Sequence, residues 1–105
     1  MPRFNDDREF FFELLHEFVN DLDNRISALR EAAQVGDAGQ VHRLAHSLKG
    51  TASNFCANDL TGYARSLEEQ ARDNNLENAQ ALISRIENEG PQLREFIKNQ
   101  EHLKP

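Results

Sequence analysis

The sequence predicts an all-α fold, an up-and-down antiparallel four-helix bundle that forms a single domain over residues 1–105. Four segments repeat their apolar residues in steps of three and four, which is the spacing that gathers side chains on one face of a helix. No segment alternates apolar and polar residues as a half-buried strand does. The connections between the segments are short, which favours antiparallel neighbours. With 105 residues and 38% hydrophobic content, the chain can bury one modest core.

The first two helices are delimited by capping signals. The first is predicted to begin after Asn5-Asp6-Asp7, which supplies capping side chains and first-turn acids. Gly36 ends it, and Asp37 is placed to cap a second helix that runs from about Ala38 to Ser53 or beyond. The apolar stripe of the first helix consists of Phe11, Leu14, Leu15, Phe18, Leu22, Ile26, Leu29 and Ala33.

The third helix is predicted to start after Asn58-Asp59 and to end before Asn74-Asn75. Its apolar residues are Leu60, Ala64, Leu67 and Ala71, with Tyr63 at the edge of the stripe. Those of the fourth are Leu76, Ala79, Ile83, Ile86, Leu93, Phe96 and Ile97. Within the fourth helix, Pro91 has no N–H to donate and its ring crowds the preceding turn. A kink or a break is therefore expected near Gly90-Pro91.

The first helix carries more phenylalanines than one stripe can bury. Phe11 and Phe18 are expected in the core, and one of Phe10 and Phe12 in an apolar patch used for docking. The acidic residues Glu17, Asp21 and Glu31 are interpreted as a solvated face.

Composition excludes several classes of function. The formal net charge is −6 and no stripe is rich in Lys and Arg, so nucleic acid and anionic lipid are poor partners. No apolar run has the length of a membrane span, and the N-terminus lacks a signal-peptide pattern. We therefore expect a cytoplasmic protein without direct membrane contact. Cys56 is the only cysteine, which excludes an internal disulfide and favours a small buried hydrophobe.

The most informative feature is a histidine on the polar face of the second helix. On a helical wheel with Val41 at zero, His46 lies at roughly 140°, Lys49 at roughly 80° and Gly50 at roughly 180°. The core-facing stripe falls within roughly 60° of zero and comprises Val41, Leu44, Ala45, Leu48, Ala52 and Phe55. An exposed imidazole therefore has an ammonium one turn along and a bare backbone patch beside it.

This arrangement suits a phosphoryl acceptor. An unperturbed imidazole is largely neutral and nucleophilic near pH 7. Lys49, three residues after His46, is close enough to balance phosphoryl oxygens. Gly50 removes a side chain that would obstruct a donor protein, although a mid-helix glycine costs roughly 0.5–1 kcal/mol relative to alanine.

The third helix offers supporting residues, provided that it packs beside the second. Glu68 would then orient the His46 ring through a hydrogen bond and raise its basicity. Arg72 would lend charge to a bound phosphoryl group. His42, one turn before His46, has the spacing of a metal-chelating pair with Glu68 as a third ligand. Arg43 stands where a metalloprotease helix has a glutamate, which disfavours a metal site.

The segment Ala45-His46-Ser47-Leu48-Lys49-Gly50-Thr51-Ala52 closely resembles the signature of histidine-containing phosphotransfer (HPt) domains of bacterial multistep phosphorelays. The resemblance continues through residues 54–57 and Leu60 to the segment 64–68, and includes the acidic, Phe-rich first helix. It implies a four-helix bundle whose histidine, here His46, accepts a phosphoryl group from a receiver-domain aspartate and passes it to another receiver.

The same resemblance implies that Lys49 is the neighbouring cation and Gly50 the residue that lets a receiver dock. Response-regulator receiver domains would be the partners and would carry the Mg²⁺, so the domain would need no cofactor of its own. It would be a phosphotransfer intermediate rather than an ATP-dependent kinase, since the chain has no glycine-rich phosphate loop. Any kinase activity would lie elsewhere in a parent protein.

Three alternatives remain open from the residues alone. Lys49-Gly50 has the composition of an ordinary helix end. The chain is alternatively a helical interaction module without covalent chemistry. It is also similar to the dimerisation and phosphoacceptor domain of a histidine kinase, but those domains typically have an acidic residue after the histidine, where this chain has Ser47.

The HPt interpretation predicts a monomer. It also allows the chain to be the C-terminal module of a hybrid sensor kinase, in which case the parent's kinase and receiver domains are further partners. The start of the helical pattern directly after Phe4 and the lack of a tail favour such a module slightly.

Overall fold

The protein folds into four α-helices, as the sequence predicts. The computed structural model describes residues 2–55 and 57–102, and the side chains of residues 9–55 and 57–99. The helices are α1 (Pro2–Gln34), α2 (Ala38–Asn54), α3 (Asn58–Arg72) and α4 (Ala79–His102). The described part contains no strand. α1 packs against α2 and α4, and α3 packs against the same two helices, so the four form a closed bundle.

The junction of α1 and α2 forms as predicted. Gly36 has a φ of 77°, a left-handed conformation that glycine adopts without steric cost. Asp37 caps α2, because its carboxylate accepts a hydrogen bond from the backbone N–H of Gln40 at 3.1 Å. The start of α1 differs from the prediction, since the helix already includes Pro2. A proline is favoured in a first turn, where its missing N–H would have no partner.

The boundaries of α3 and α4 differ slightly from the predicted ones. α3 includes Asn58 and Asp59 in its first turn, and its N-cap residue Ala57 makes no side-chain capping bond. Asn74 ends the α3 segment with a φ of 61°. α4 continues through Pro91 without a break. Gly90 is buried against α1, where an added Cβ would lie 3.6 Å from Leu22 Cδ2.

The core is built from the predicted stripes. Every apolar position predicted for α3 is buried, and so are Ala79, Ile83, Ile86 and Ile97 of α4. Burial of these side chains holds the helices in one register and thereby fixes which polar residues of α2 and α3 face each other. The buried residues of α2 are Ala38, Val41, Ala45, Leu48 and Ala52, and those of α1 are Leu15, Phe18, Val19, Leu22, Ile26, Leu29 and Ala32.

Three apolar residues predicted for the core are instead exposed. Phe11 and Leu14 each keep 39% of their surface in solvent, and Phe96 keeps 46%. The prediction for Phe11 was wrong because α2 is much shorter than α1. The rings of Phe11 and Phe18 both contact Phe55, the residue just after α2. α2 therefore ends at the level of Phe11 and does not cover this ring.

Phe10 and Phe12, the phenylalanines of α1 that exceed its apolar stripe, differ in exposure. Phe10 is 60% exposed, whereas Phe12 is half-buried against the core. Cys56, predicted to be buried, lies outside the described residues. Among the described helices, none is both long enough and apolar enough to cross a membrane.

Candidate functional site

His46 lies in the middle of α2 on its solvent face. The helix continues to Asn54, so the interpretation of Lys49-Gly50 as a helix end is wrong. The His46 side chain is 66% exposed, while its neighbour Ala45 is completely buried. His46 therefore lies on the face of α2 that the helical wheel predicts.

The packing of α3 against α2 brings Glu68 to the His46 ring. His46 Nδ1 lies 2.6 Å from Glu68 Oε2, a short charge-assisted hydrogen bond. The Glu68 side chain is only 11% exposed, and it is the one charged residue that the described core buries. A buried carboxylate needs partners, and here they come from α2.

Lys49 supplies the second partner of Glu68. Its Nζ lies 2.6 Å from Glu68 Oε1, so each carboxylate oxygen contacts a different α2 side chain. The hydrogen bond from Lys49 is the main reason that the pKa of Glu68 is lowered from its ordinary 4.5; His46 adds to the effect, and burial opposes it. Glu68 is therefore ionised at neutral pH.

This geometry determines the chemistry of the His46 ring. An ionised carboxylate only accepts hydrogen bonds, so Nδ1 must carry the proton at this contact. In the neutral ring, the lone pair is then on Nε2. Within the described part of the chain Nε2 has no hydrogen-bond partner. The site thus holds a histidine with its nucleophilic nitrogen directed away from its anchor.

Gly50 lies one turn beyond His46 on the same exposed surface of α2. A Cβ added at Gly50 would meet no atom within 4 Å. The fold therefore does not require glycine at this position, and a mid-helix glycine is less stable than alanine by about 0.5–1 kcal/mol. The absence of a side chain here leaves the approach to His46 open.

The two remaining predicted site residues are placed differently. The His42 ring stacks on that of His46, with centroids 6.4 Å apart and planes inclined by 11°, and His42 Nε2 lies 3.9 Å from Glu68 Oε2. Arg72 is exposed at the end of α3, and within the described residues it forms no hydrogen bond or ion pair with His46.

The sequence does not predict the groove that lies between α1 and α2 beside this cluster; it predicts Glu17 and Asp21 of that groove only as a solvated face. Phe18 and Phe55 lie at its base and Leu14 at its edge. Arg25 crosses it and donates from Nη1 to Ser47 Oγ at 3.3 Å, next to His46. Phe18 is the α1 phenylalanine that lines the groove, and the sequence predicts it for the core, so the helical spacing gave no signal for this surface. The groove is lined by Leu14, Glu17, Phe18, Asp21, Arg25, Thr51, Asn54 and Phe55.

Comparison with known proteins identifies the class. The Hpt domain family matches residues 13–98, and the chain belongs to this family. The fold also matches the crystal structure of histidine-containing phosphotransfer protein B (HptB) from Pseudomonas aeruginosa PAO1, with a TM-score of 0.81 and 39% sequence identity. That match covers 90% of this chain and 82% of the HptB chain. A comparison with curated proteins gave no match. The protein is therefore a histidine phosphotransfer domain of the kind that acts in phosphorelays, and not a kinase dimerisation domain.

Proposed function

We propose that His46 receives a phosphoryl group from the phosphoaspartate of one receiver domain and passes it to the aspartate of a second. The Nε2 lone pair attacks phosphorus, a P–N bond forms, and the P–O bond to the donor aspartate breaks. The electron pair of that bond leaves with the aspartate carboxylate. In the second transfer, an aspartate oxygen of the acceptor attacks phosphorus and the P–N electron pair returns to Nε2.

The contact between His46 Nδ1 and Glu68 carries this proposal. Because Nδ1 keeps its proton, the phosphorylated ring is cationic, and the anionic Glu68 at 2.6 Å stabilises it. The leaving group of the second transfer is then a neutral imidazole rather than its anion. The same carboxylate therefore supports both directions of transfer.

Lys49 supports this chemistry in two ways. By holding Glu68 Oε1 at 2.6 Å, it keeps the carboxylate ionised and directed at His46. Its ammonium also lies one turn from His46, where it adds positive potential for the incoming phosphoryl oxygens. Arg72 is exposed at the end of α3, one turn after Glu68, and would contribute positive charge without a direct contact to the His46 ring. No metal or cofactor is assigned to this domain, and the Mg²⁺ of the reaction belongs to the receiver.

The receiver would dock over Gly50 and the adjacent α1–α2 groove. Thr51 and Asn54, which line the groove, lie five and eight residues beyond His46, or roughly 8 and 12 Å along the helix axis. The exposed apolar surface of Phe10, Phe11 and Leu14 extends this surface along α1. Such a patch beside a reactive side chain is typical of a protein-binding surface.

The bundle completes its core from the helices of one chain, which favours a monomeric carrier and is testable by size measurement. A cytoplasmic location follows from the proposed receiver partners. The domain would act either alone or within a larger sensor kinase, and in that case would also exchange phosphoryl groups with the parent's own domains.

The experiment is phosphoryl transfer from labelled, phosphorylated receiver domains to the wild type, to His46→Gln and to His16→Gln. His16 is an exposed histidine of α1, so its replacement controls for loss of an imidazole elsewhere. We expect acid-labile, alkali-stable label on the wild type and on His16→Gln, and none on a folded His46→Gln. Absence of transfer from several receivers to the folded wild type would refute the proposal and favour a binding module without covalent chemistry.

A further inference from the structure

A ridge of apolar side chains on α1 leads into the groove between α1 and α2. Phe10, Leu14 and Phe18 follow one another at four-residue steps, so they lie one turn apart on nearly the same face of the helix. Phe10 and Leu14 are exposed, whereas Phe18 is buried at the base of the groove. Leu14 and Glu17 line both this groove and a shallow hollow beside Phe10, so the groove and the hollow form one continuous surface.

A row of carboxylates borders this apolar surface. Glu13, Glu17 and Asp21 are exposed and follow one another at the same four-residue spacing. Like charges at this spacing repel each other and destabilise a helix. Arg25 Nε lies 3.2 Å from Asp21 Oδ2 and offsets that charge, but Glu13 and Glu17 form no hydrogen bond or ion pair with any other described residue. The fold gains no contact from these two carboxylates, and both remain available to a partner.

The charges along this surface are arranged with a direction relative to His46. Arg25 lies eight residues after Glu17, or about 12 Å along the helix axis. Its Nη1 donates to the Oγ of Ser47, the residue directly after His46, at 3.3 Å. The two uncompensated carboxylates therefore lie at the end of the surface far from His46, and a cation lies at the end close to it.

This charge pattern determines which occupant fits. A second copy of the chain is disfavoured, because a symmetric dimer through this face would bring the carboxylates of two molecules of net charge −6 together. We propose that the surface selects receiver domains whose docking surface is an apolar patch bordered by lysine or arginine residues. Glu13 and Glu17 are the specificity-determining residues that meet these cations, on the side of the receiver away from its phosphoaspartate. This inference rests on the phosphocarrier role proposed above and adds the chemistry by which the partner is chosen.

The test compares transfer from a phosphorylated receiver to the wild type, Glu17→Gln, Glu17→Lys and Glu31→Lys. Opposite charges about 4 Å apart in water alter an encounter by about fivefold, so Glu17→Gln should slow transfer by up to about fivefold and Glu17→Lys by up to about 25-fold at low salt. The slowing should shrink in about 1 M salt, where charges are screened within about 3 Å. Glu31→Lys is the matched control, because Glu31 is an exposed α1 carboxylate about 21 Å along the axis from Glu17 and should have little effect. Adding Glu13→Lys to Glu17→Lys should slow transfer further.

Phosphorylation of each variant by phosphoramidate, a small donor that needs no receiver, should proceed at the wild-type rate and thereby show that His46 is intact. Equal rates for Glu17→Lys and Glu31→Lys, or faster transfer to Glu17→Lys, would overturn the inference and leave the phosphocarrier role standing. A wild type that phosphoramidate labels but no receiver does would instead refute the proposed function, and the inference with it. Sedimentation should show a monomer; a dimer that Leu14→Asn dissociates would identify a second copy as the occupant and overturn the inference.

Discussion

Replacing Glu68 by glutamine tests whether the carboxylate fixes the position of the proton on the His46 ring, because the two side chains have nearly the same shape. Glu68 accepts from two donors, His46 Nδ1 and Lys49 Nζ, each at 2.6 Å. A glutamine amide has only one oxygen, and the ammonium of Lys49 can only donate. The oxygen should therefore turn to Lys49 and the NH₂ group to His46. The His46 ring would then have to accept at Nδ1, which places its proton on Nε2.

The expected magnitude follows from the lost contact. A hydrogen bond to a charged group contributes about 1.5–3 kcal/mol. If this contribution is made in the transition state, its loss slows phosphorylation of His46 by roughly 10- to 150-fold, since each 1.36 kcal/mol corresponds to a factor of ten. The helices should remain folded, because the buried apolar stripes are untouched.

Two measurements distinguish the loss of this hydrogen bond from a general disruption of the site. Nitrogen-15 NMR of the histidine rings should show a proton on Nδ1 of His46 in the wild type and on Nε2 in Glu68→Gln. In a Lys49→Met background the amide oxygen is free to face His46, so Glu68→Gln should cost less there than in the wild type. A folded Glu68→Gln protein that is phosphorylated at the wild-type rate, or that keeps its proton on Nδ1, would show that the Glu68 carboxylate does not fix the proton of the His46 ring.

The remaining predictions concern docking and stability. Gly50→Ala should raise the free energy of unfolding by about 0.5–1 kcal/mol, because the added Cβ meets no atom within 4 Å. The same change should slow transfer from a receiver domain but not from phosphoramidate, a small phosphoryl donor that needs no docking surface. Gly62→Ala in α3, whose Cβ is equally unobstructed, is the control and should gain stability without slowing transfer. Leu14→Asn should slow transfer from a receiver by severalfold and should lower the free energy of unfolding by about 1–2 kcal/mol, because the side chain is 39% exposed and the rest of it is buried. Equal rates with the wild type would exclude Leu14 from the docking surface. Because the pKa of Glu68 is lowered in the folded state, its stabilising contribution is complete above its ordinary pKa of 4.5 and is lost as the pH falls below it. The difference in urea stability between the wild type and Glu68→Gln should therefore shrink as the pH falls from about 5 towards about 3; a difference that stays the same over this range would contradict the assignment.

Local periodicity was sufficient to predict the helices and the exposure of His46. The stripe that contains Val41, Ala45 and Leu48 specifies which side of α2 is buried, and the position of His46 follows from the helical repeat alone. Gly36 favours a left-handed turn because it has no side chain, and Asp37 favours the N-cap because its carboxylate accepts a backbone hydrogen bond. The α1–α2 junction was therefore also predictable.

Contacts between helices were less predictable, because they depend on helix length and register. The sequence suggested Glu68 as a partner of His46, but only the packing of α3 on α2 places the carboxylate 2.6 Å from the ring. Arg72, suggested on the same grounds, makes no hydrogen bond or ion pair with His46 among the described residues. Phe11 has the spacing of a core residue and is exposed because α2 ends near its level. The helical wheel of one segment contains no information about where its neighbour stops.

In the proposed transfer, Nε2 of His46 accepts the phosphoryl group while Nδ1 stays protonated against Glu68. The most direct test is NMR of the protein labelled with nitrogen-15 histidine, before and after phosphorylation by a receiver domain. We expect coupling of phosphorus to Nε2 of His46 alone and a proton retained on Nδ1. Phosphorus on Nδ1, or on another histidine such as His42, would contradict it.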